Sequence, residues 1–378
     1  MMLFKDVIGH KELKKKLIKS VQKNRISHAQ LFLGSEGNGN FQLALAYAQF
    51  VNCINQNEND SCGSCSSCIK YQNKQHPDLH FFYPTAICNE IKTQPSSRKL
   101  IKSWINFLKN KVYFTLNDWL THIGAGERLS IINKTDSQDI IQIVSLKNFE
   151  AKFKVIIIWW AESMNSSCSN KILKVLEEPY PKTLFILVGH NTDKLIPTIV
   201  SRVQIVKTNL LTDDEITEGL TVSTKISPER AKSIALMANG NLSKAYNLVE
   251  NYDEEERFMN IFHQWMRLCY KVDFLGIEKW IEDTHKLGRV VQKKILEYGL
   301  NIFRECIIYN YSNSKKNRLN KNEEAFNEKF AKFIHGGNII EIINIFEHTH
   351  TSILRNGNGK IAFMNLSLNL CNLLKINP

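Results

Sequence analysis

Residues Gly34-Ser35-Glu36-Gly37-Asn38-Gly39-Asn40-Phe41 constrain the fold more than any other stretch of the chain. They follow an apolar run, Ala29-Gln30-Leu31-Phe32-Leu33, and precede an amphipathic helical pattern from Leu43 to Val51. Strand, glycine-rich turn and helix form the setting in which backbone N–H groups at a helix N-terminus cradle phosphates. The spacing follows G-x4-G-K-[ST] as far as Gly39. Then Asn40 stands where a lysine would reach the phosphates, and Phe41 where a hydroxyl would hold Mg²⁺. Two readings are open: a chance glycine cluster, or a nucleotide site that has lost its chemistry.

The other half of such a site is a buried strand that ends in an acidic residue serving Mg²⁺. Lys154-Val155-Ile156-Ile157-Ile158 has the continuous β-branched character of a buried parallel strand. It runs into Trp159-Trp160, whose rings cannot coordinate a hard cation. Glu162 falls past the strand end and is not promoted to that role. A helix from Asn170 to Glu178 stops at Pro179, and a further strand covers Thr183 to Val188. The segment Leu195 to Arg202 leads into another apolar run, Val203 to Val206. Strands alternating with helices predict a parallel sheet with helices on both faces.

Between these halves lie Cys53, Cys62, Cys65 and Cys68, spaced C-x8-C-x2-C-x2-C. A Cys-x2-Cys step presents two thiolates to one tetrahedral ion, and four thiolates close a structural zinc site with no open position. Gly63, Ser64, Ser66 and Ser67 supply the small, turn-forming residues such a knuckle needs. His76 and His80 are read as loop residues, since four thiolates complete the set. Residues 84–130 resist assignment. Ile101, Trp104, Ile105 and Leu108 repeat at helical spacing, followed by Trp119-Leu120 and a Gly124-Ala125-Gly126 turn. This aromatic stripe reads as core, and Ile131 to Leu146 reads as a helix.

Beyond residue 209 the signals are helical. Thr212 and Glu215 form a capping box, Ser227-Pro228 pairs an N-cap with proline at the first helical position, and Asn239-Gly240 is a stop signal. Phe258, Ile261, Phe262, Trp265 and Cys269 then line one helical face, and 290–308, 339–354 and 361–374 give three more helices. The Lys315-Lys316-Asn317-Arg318 run reads as a solvated loop. No internal repeat is found.

With 49 Lys and Arg against 37 Asp and Glu, the chain has a formal net charge of +12, which allows a nucleic-acid partner. No run of 18 apolar residues occurs, and the start lacks the pattern of a signal peptide, so a cytoplasmic protein with no membrane partner is expected. In that compartment nine cysteines are thiols or metal ligands rather than disulfides.

Together these pieces resemble the AAA+ clamp-loader subunits of bacterial DNA polymerase III, the δ′ branch above all. Val7-Ile8-Gly9-His10 looks like the family's opening, and Arg25-Ile26-Ser27-His28-Ala29 leads into the glycine loop as it does there. The cysteines fall where the family's zinc knuckle does. Asn170-Lys171-Ile172-Leu173-Lys174-Val175-Leu176-Glu177-Glu178-Pro179 is the most specific stretch. Leu195-Ile196-Pro197-Thr198-Ile199-Val200-Ser201-Arg202 is similar to a segment that ends in Ser-Arg-Cys, with Val203 replacing the cysteine. Gly240-Asn241-Leu242-Ser243 carries Ser243 where the family often has an arginine sensing the γ-phosphate.

The resemblance implies an AAA+ α/β domain over 1–209, with the knuckle at about 53–68 and an insertion at about 84–130. It implies a helical lid over 210–252 and a C-terminal helical collar over 253–378. It implies a degenerate nucleotide site (Gly34, Gly37, Gly39, Asn40, Phe41, Trp159, Trp160), with no catalytic ATP or Mg²⁺ expected. Structural zinc on Cys53, Cys62, Cys65 and Cys68 is expected, and Arg202 would reach in trans to ATP on a neighbour. The implied partners are the ATPase motor subunits and the δ subunit of the loader, the sliding clamp transiently, and primed DNA within the complex. The location would be cytoplasmic, at the nucleoid during replication. The alternatives are a zinc-containing nucleic-acid-binding protein, an ATP-hydrolysing motor subunit, and a degenerate AAA+ protein outside replication.

Overall fold

A computed structural model describes residues 3–126, 128–224, 226–250, 252–311, 319, 321–355 and 357–376, without the side chains of 252–256 and 321–322. The basic run Lys315 to Arg318 lies outside the described residues. The chain divides into two compact units, Met1–Ala231 with Ala238–Tyr246, and Lys232–Met237 with Asn247–Pro378.

The first unit is built on five parallel strands: β1 (Ala29–Leu33), β2 (Leu79–Phe82), β3 (Lys154–Trp159), β4 (Thr183–Gly189) and β5 (Gln204–Lys207). Their order across the sheet is β2-β3-β4-β1-β5. In register, Leu31 lies beside Leu187 and Ile205, and Ile157 beside Phe81 and Ile186. Every residue of β3 and β4 is buried. Successive side chains point to opposite faces of a strand. Thus Phe32, Ile157, Trp159 and Ile186 join one apolar cluster, whereas Leu31, Ile156, Ile158 and Leu187 join another.

The first face is covered by α1 (Lys11–Gln22), α2 (Asn40–Val51), α3 (Ser66–Gln72), α4 (Ile101–Asn110) and α5 (Leu116–His122). The second is covered by α6 (Lys134–Ser145) and α7 (Ser166–Glu177). A single turn, α8 (Pro197–Val200), precedes β5. Leu17, Ile18 and Val21 of α1 are buried. Helix α2 departs from expectation: all twelve of its residues are buried, so it is a core helix rather than an amphipathic one. The reason is that residues 100–125 fold over its outer side, and Trp104, Phe107, Phe114 and Trp119 pack into the same cluster. Helix α6 starts at Lys134, capped by Asn133, because Ile131 and Ile132 bridge to Thr85 and Met164 in extended form. His80 is part of β2, not a loop.

Next come three helices, α9 (Asp213–Thr224), α10 (Pro228–Ala238) and α11 (Leu242–Glu250). The expected capping box holds, with Thr212 N donating to Glu215 Oε2 at 3.0 Å and Glu215 N to Thr212 Oγ1 at 3.2 Å. Asn239 and Gly240 take positive φ values of 53° and 80° after α10, the left-handed turn expected of that pair.

The second unit is all-helical: α12 (Tyr252–Lys271), α13 (Phe274–Lys286), α14 (Arg289–Tyr311), α15 (Lys321–Phe330), α16 (Ile339–Leu354) and α17 (Gly359–Leu373). Its core stacks Trp265 on Trp280 at 4.6 Å and sets Phe303 edge-on to Phe346. Gly299 lets α14 approach closely, since a Cβ there would stand 2.8 Å from the Phe262 and Phe346 rings. No described helix is long and apolar enough to cross a membrane.

Candidate nucleotide cleft and thiolate centre

In an open parallel sheet, ligands bind beyond the carboxyl ends of the strands where the strand order reverses. Here that point lies between β1 and β4. The chain leaves β1 toward β2 on one side of the sheet, and leaves β4 toward β5 on the other. The loops after β1, β3 and β4 converge there, and Gly34 N donates to Gly189 O at 3.2 Å. The glycine loop therefore stands where its sequence pattern predicts. The glycines are required: Gly37 and Gly39 have φ of 77° and 89°, and a Cβ on Gly37 would meet Asn241 Oδ1 at 2.1 Å.

The first two amides of α2 already have acceptors within the chain. A helix N-terminus offers unpaired N–H groups to an anion. In α2 the amide of Asn40 donates to Asn38 Oδ1 at 3.1 Å, and that of Phe41 to Asn40 Oδ1 at 2.9 Å. Asn38 is held in turn by Thr208, with its Nδ2 at 2.9 Å from Oγ1, and His10 Nε2 donates to its carbonyl at 2.8 Å. Burial lowers the His10 pKa, in keeping with a neutral ring in this role.

The cation side is closed by aromatic rings. Phe41 packs edge-on against Phe114 at 5.4 Å, Trp104 at 6.0 Å and Trp159 at 6.3 Å. Trp159 lies 5.2 Å from both Trp104 and Phe114. Trp160 turns away at φ 59° and lies 4.0 Å from the ring of His190. Glu162, past the strand end and given no role on sequence grounds, is buried here: its Oε1 accepts from the His190 amide at 3.0 Å and faces Nδ1 at 2.9 Å. Its Oε2 is buried with no hydrogen-bond partner among the described residues.

The start of α11 docks on the loop. Leu242 N donates to Gly37 O at 2.8 Å, Ser243 N to the same oxygen at 3.3 Å, and Asn241 Nδ2 to Glu36 O at 3.0 Å. Ser243 is fully buried, and its Oγ has no partner among the described residues. Residues 112–116 touch the same place. Ile8 N donates to Tyr113 Oη at 3.1 Å, Tyr113 stacks on Tyr246 at 5.3 Å, and Leu116 N donates to Glu36 Oε1 at 3.0 Å. Sequence reasoning misses this segment, since Tyr113 and Ile8 are far apart along the chain and no local pattern joins them.

Arg202 follows α8 at the surface. Its guanidinium is ion-paired with Glu177 at the end of α7, and its Nη1 donates to Thr198 O at 2.9 Å. The two most distinctive segments of the sequence, 170–179 and 195–202, thus meet in one contact.

Cys53 follows α2, Cys62 sits in the loop, Cys65 caps α3, and Cys68 lies in its first turn. Their four sulfurs lie within 4.8 Å of one another. Three separations are 3.6, 3.9 and 3.6 Å (Cys53–Cys62, Cys62–Cys68 and Cys68–Cys53). A disulfide would need about 2.05 Å, whereas four sulfurs about 2.3 Å from a tetrahedral zinc ion stand roughly 3.8 Å apart. The donor set therefore fits zinc. Amides of Cys62, Cys65 and Cys68 donate to the sulfurs of Cys53, Cys62 and Cys65 at 3.3–3.4 Å. Burial opposes thiolate formation at Cys62, but these and neighbouring backbone hydrogen bonds outweigh it and bring the thiol down to about 6. Burial pushes Cys53 and Cys68 up. His76 stays outside the cluster, 3.4 Å from Glu150 and against the Tyr71 ring.

Comparison with known proteins gives the family of the chain. The family described as "DNA polymerase III, delta subunit" matches residues 9–212, more than half of the 378. The δ′ subunit of DNA polymerase III from Bacillus subtilis is 26% identical over 80% of this chain and 78% of its own. The γ subunit from Buchnera aphidicola is 23% identical over 88% of this chain and 83% of its own. Among solved structures, the RuvB Holliday junction branch migration motor of Thermotoga maritima aligns with a TM-score of 0.38 at 15% identity, covering 65% of this chain. This chain spans 62% of that motor.

Proposed function

The chain belongs to the DNA polymerase III delta subunit family, as a δ′-like clamp-loader subunit, and from that premise we propose that it binds no catalytic nucleotide and lends its chemistry to a neighbour. It works inside a hetero-oligomeric loader with ATPase motor subunits and a δ subunit, places the sliding clamp on primed DNA, and packs into the ring through its C-terminal helices. The observation that carries this reading is the state of the glycine loop. Its two phosphate-facing amides are taken by Asn38 and Asn40, and its Mg²⁺ side is filled by Phe41 and Trp159. A phosphate would have to displace two hydrogen-bonded side chains and gain no lysine, hydroxyl or carboxylate in return.

Arg202 is the exported group. Its planar five-donor fork suits the charge that develops on a γ-phosphate. In the isolated chain it rests on Glu177. The four thiolates hold structural zinc, which supplies cross-linking and no catalysis, because no position on the ion stays open. Binding of Mg²⁺-ATP to the purified chain tests the reading. No saturable binding at millimolar nucleotide is the expected result. Micromolar, Mg²⁺-dependent binding would turn it over in favour of a motor subunit, the reading to which the likeness to a γ subunit points.

A further inference from the structure

A nucleotide seated on a glycine loop does two jobs: it carries the reacting phosphates, and it ties the loop, the N-terminal turn and the lid helices together. The first job is absent from a cleft that binds no catalytic nucleotide, the reading on which this inference rests. The second has an occupant. Residues 112–116 run from the end of α4 into α5 and touch each of the three parts that a nucleotide would join. Toward the N-terminal turn, Tyr113 Oη accepts the Ile8 amide at 3.1 Å. Toward the loop, Leu116 N donates to Glu36 Oε1 at 3.0 Å, and Gln42 of α2 donates to the Val112 carbonyl. The Tyr113 ring also closes on Gly39, where a Cβ would stand 3.2 Å from its Cε1. Toward the lid, Tyr113 stacks on Tyr246 with ring planes 22° apart, and the Tyr246 hydroxyl is 2.7 Å from Ser223 Oγ of α9.

We propose that residues 112–116 are a permanent internal occupant of the nucleotide cleft, a strut that holds the first turn of α11 and the N-terminal turn against the glycine loop without any ligand. The aromatic ring of Tyr113 is 3% exposed, and its hydroxyl meets a main-chain N–H. An aromatic body with one polar edge aimed at the backbone is the chemistry by which a nucleobase is held. Three features separate this from ordinary core filling. The segment reaches three elements remote in sequence. Its polar contacts go to backbone groups and to a loop carboxylate. It enters from the insertion that the rest of the cleft does not need. The consequence is that the first turn of α11 is held on the glycine loop without ATP.

The test is hydrogen–deuterium exchange on the full-length, zinc-loaded chain, comparing wild type with Tyr113→Ala and Tyr113→Phe, each with and without Mg²⁺-ATP. In Tyr113→Ala the amides of Leu242 to Tyr246 and of Ile8 should exchange roughly tenfold faster while those of β3 and β4 keep their protection. Tyr113→Phe keeps the stacked ring and loses only the hydroxyl, so Ile8 alone should speed up. That variant carries the test if the alanine variant does not fold. Unchanged exchange at Leu242–Tyr246 in Tyr113→Ala, or at Ile8 in Tyr113→Phe, overturns the strut and leaves the dead cleft standing. Protection of the Asn40 and Phe41 amides by Mg²⁺-ATP in the wild type overturns both.

Discussion

Arg202 shows how a residue can be visible in a sequence while its circumstances are not. The segment Leu195 to Arg202 singles it out, but Glu177, which holds it, lies 25 residues away and carries no mark of that contact. Both side chains are partly exposed, and ion pairs of this kind are typically worth only about 0.2–1 kcal/mol. The pair orients the guanidinium at little cost, and in the proposed role it would give way to a phosphate. In a reconstituted loader, Arg202→Ala should lower clamp-stimulated ATP hydrolysis at the adjoining site by about 10³-fold or more with assembly intact by gel filtration. Arg202→Lys should not restore it, because a point charge lacks the fork. Unchanged hydrolysis would remove Arg202 from the reaction. Asn38 gives the same lesson at the loop. It sits inside the glycine motif, yet only the folded chain shows that Thr208 holds it and that its Oδ1 takes the first amide of α2.

At the scale of elements, long apolar strands and caps are legible in the sequence, and short or overlaid elements are not. β3 and β4 are plain because both are continuous runs buried on two faces. β2 escapes notice: four residues, Leu79 to Phe82, next to a cysteine loop offer too little pattern. Helix α2 misleads because a helix sandwiched between a sheet and an insertion has no polar face to keep. Helix α15 carries mostly charged and amide residues and so little apolar period. The thiolate knuckle is legible in full because its ligands are local. It is tied to the sheet by Asn52, which bonds the Tyr71 hydroxyl at 2.6 Å and both main-chain groups of Phe153. Purified protein should contain one zinc per chain, measured by elemental analysis. Cys65→Ser should lose the metal and open residues 53–66 to limited proteolysis. Metal-free wild type with an intact knuckle would refute the zinc site.

At the scale of the molecule, each unit holds an imidazole brought well below its ordinary pKa. Burial, then Lys154, brings His80 to about 4 in the first unit, and burial, then Arg267, does the same to His263 in the second. His263 is 8% exposed and stacked on Phe326 at 3.6 Å. An unfolded histidine takes up its proton near pH 6.5, the folded one only near 4. Between those values the unfolded chain binds more protons, so stability falls as pH falls, and the loss is complete below about 4. For His263 this amounts to about 3 kcal/mol. His263→Phe keeps the stack and should flatten the acid limb of the second unit's unfolding curve, followed by denaturation between about pH 7 and 4. An unaltered slope would refute it. A different consequence attaches to the aromatic rings over the glycine loop. Asn40 and Phe41 are 4% and 3% exposed, so both positions are interior. Asn40→Lys with Phe41→Thr would rewrite the motif, yet it would bury an ammonium and leave a void among Trp104, Phe114 and Trp159. The double variant should melt lower than the wild type and still fail to bind Mg²⁺-ATP by calorimetry. Under the proposed function, each single substitution toward the full phosphate-binding motif is a step downhill in stability, so a cleft filled in this way works as a ratchet.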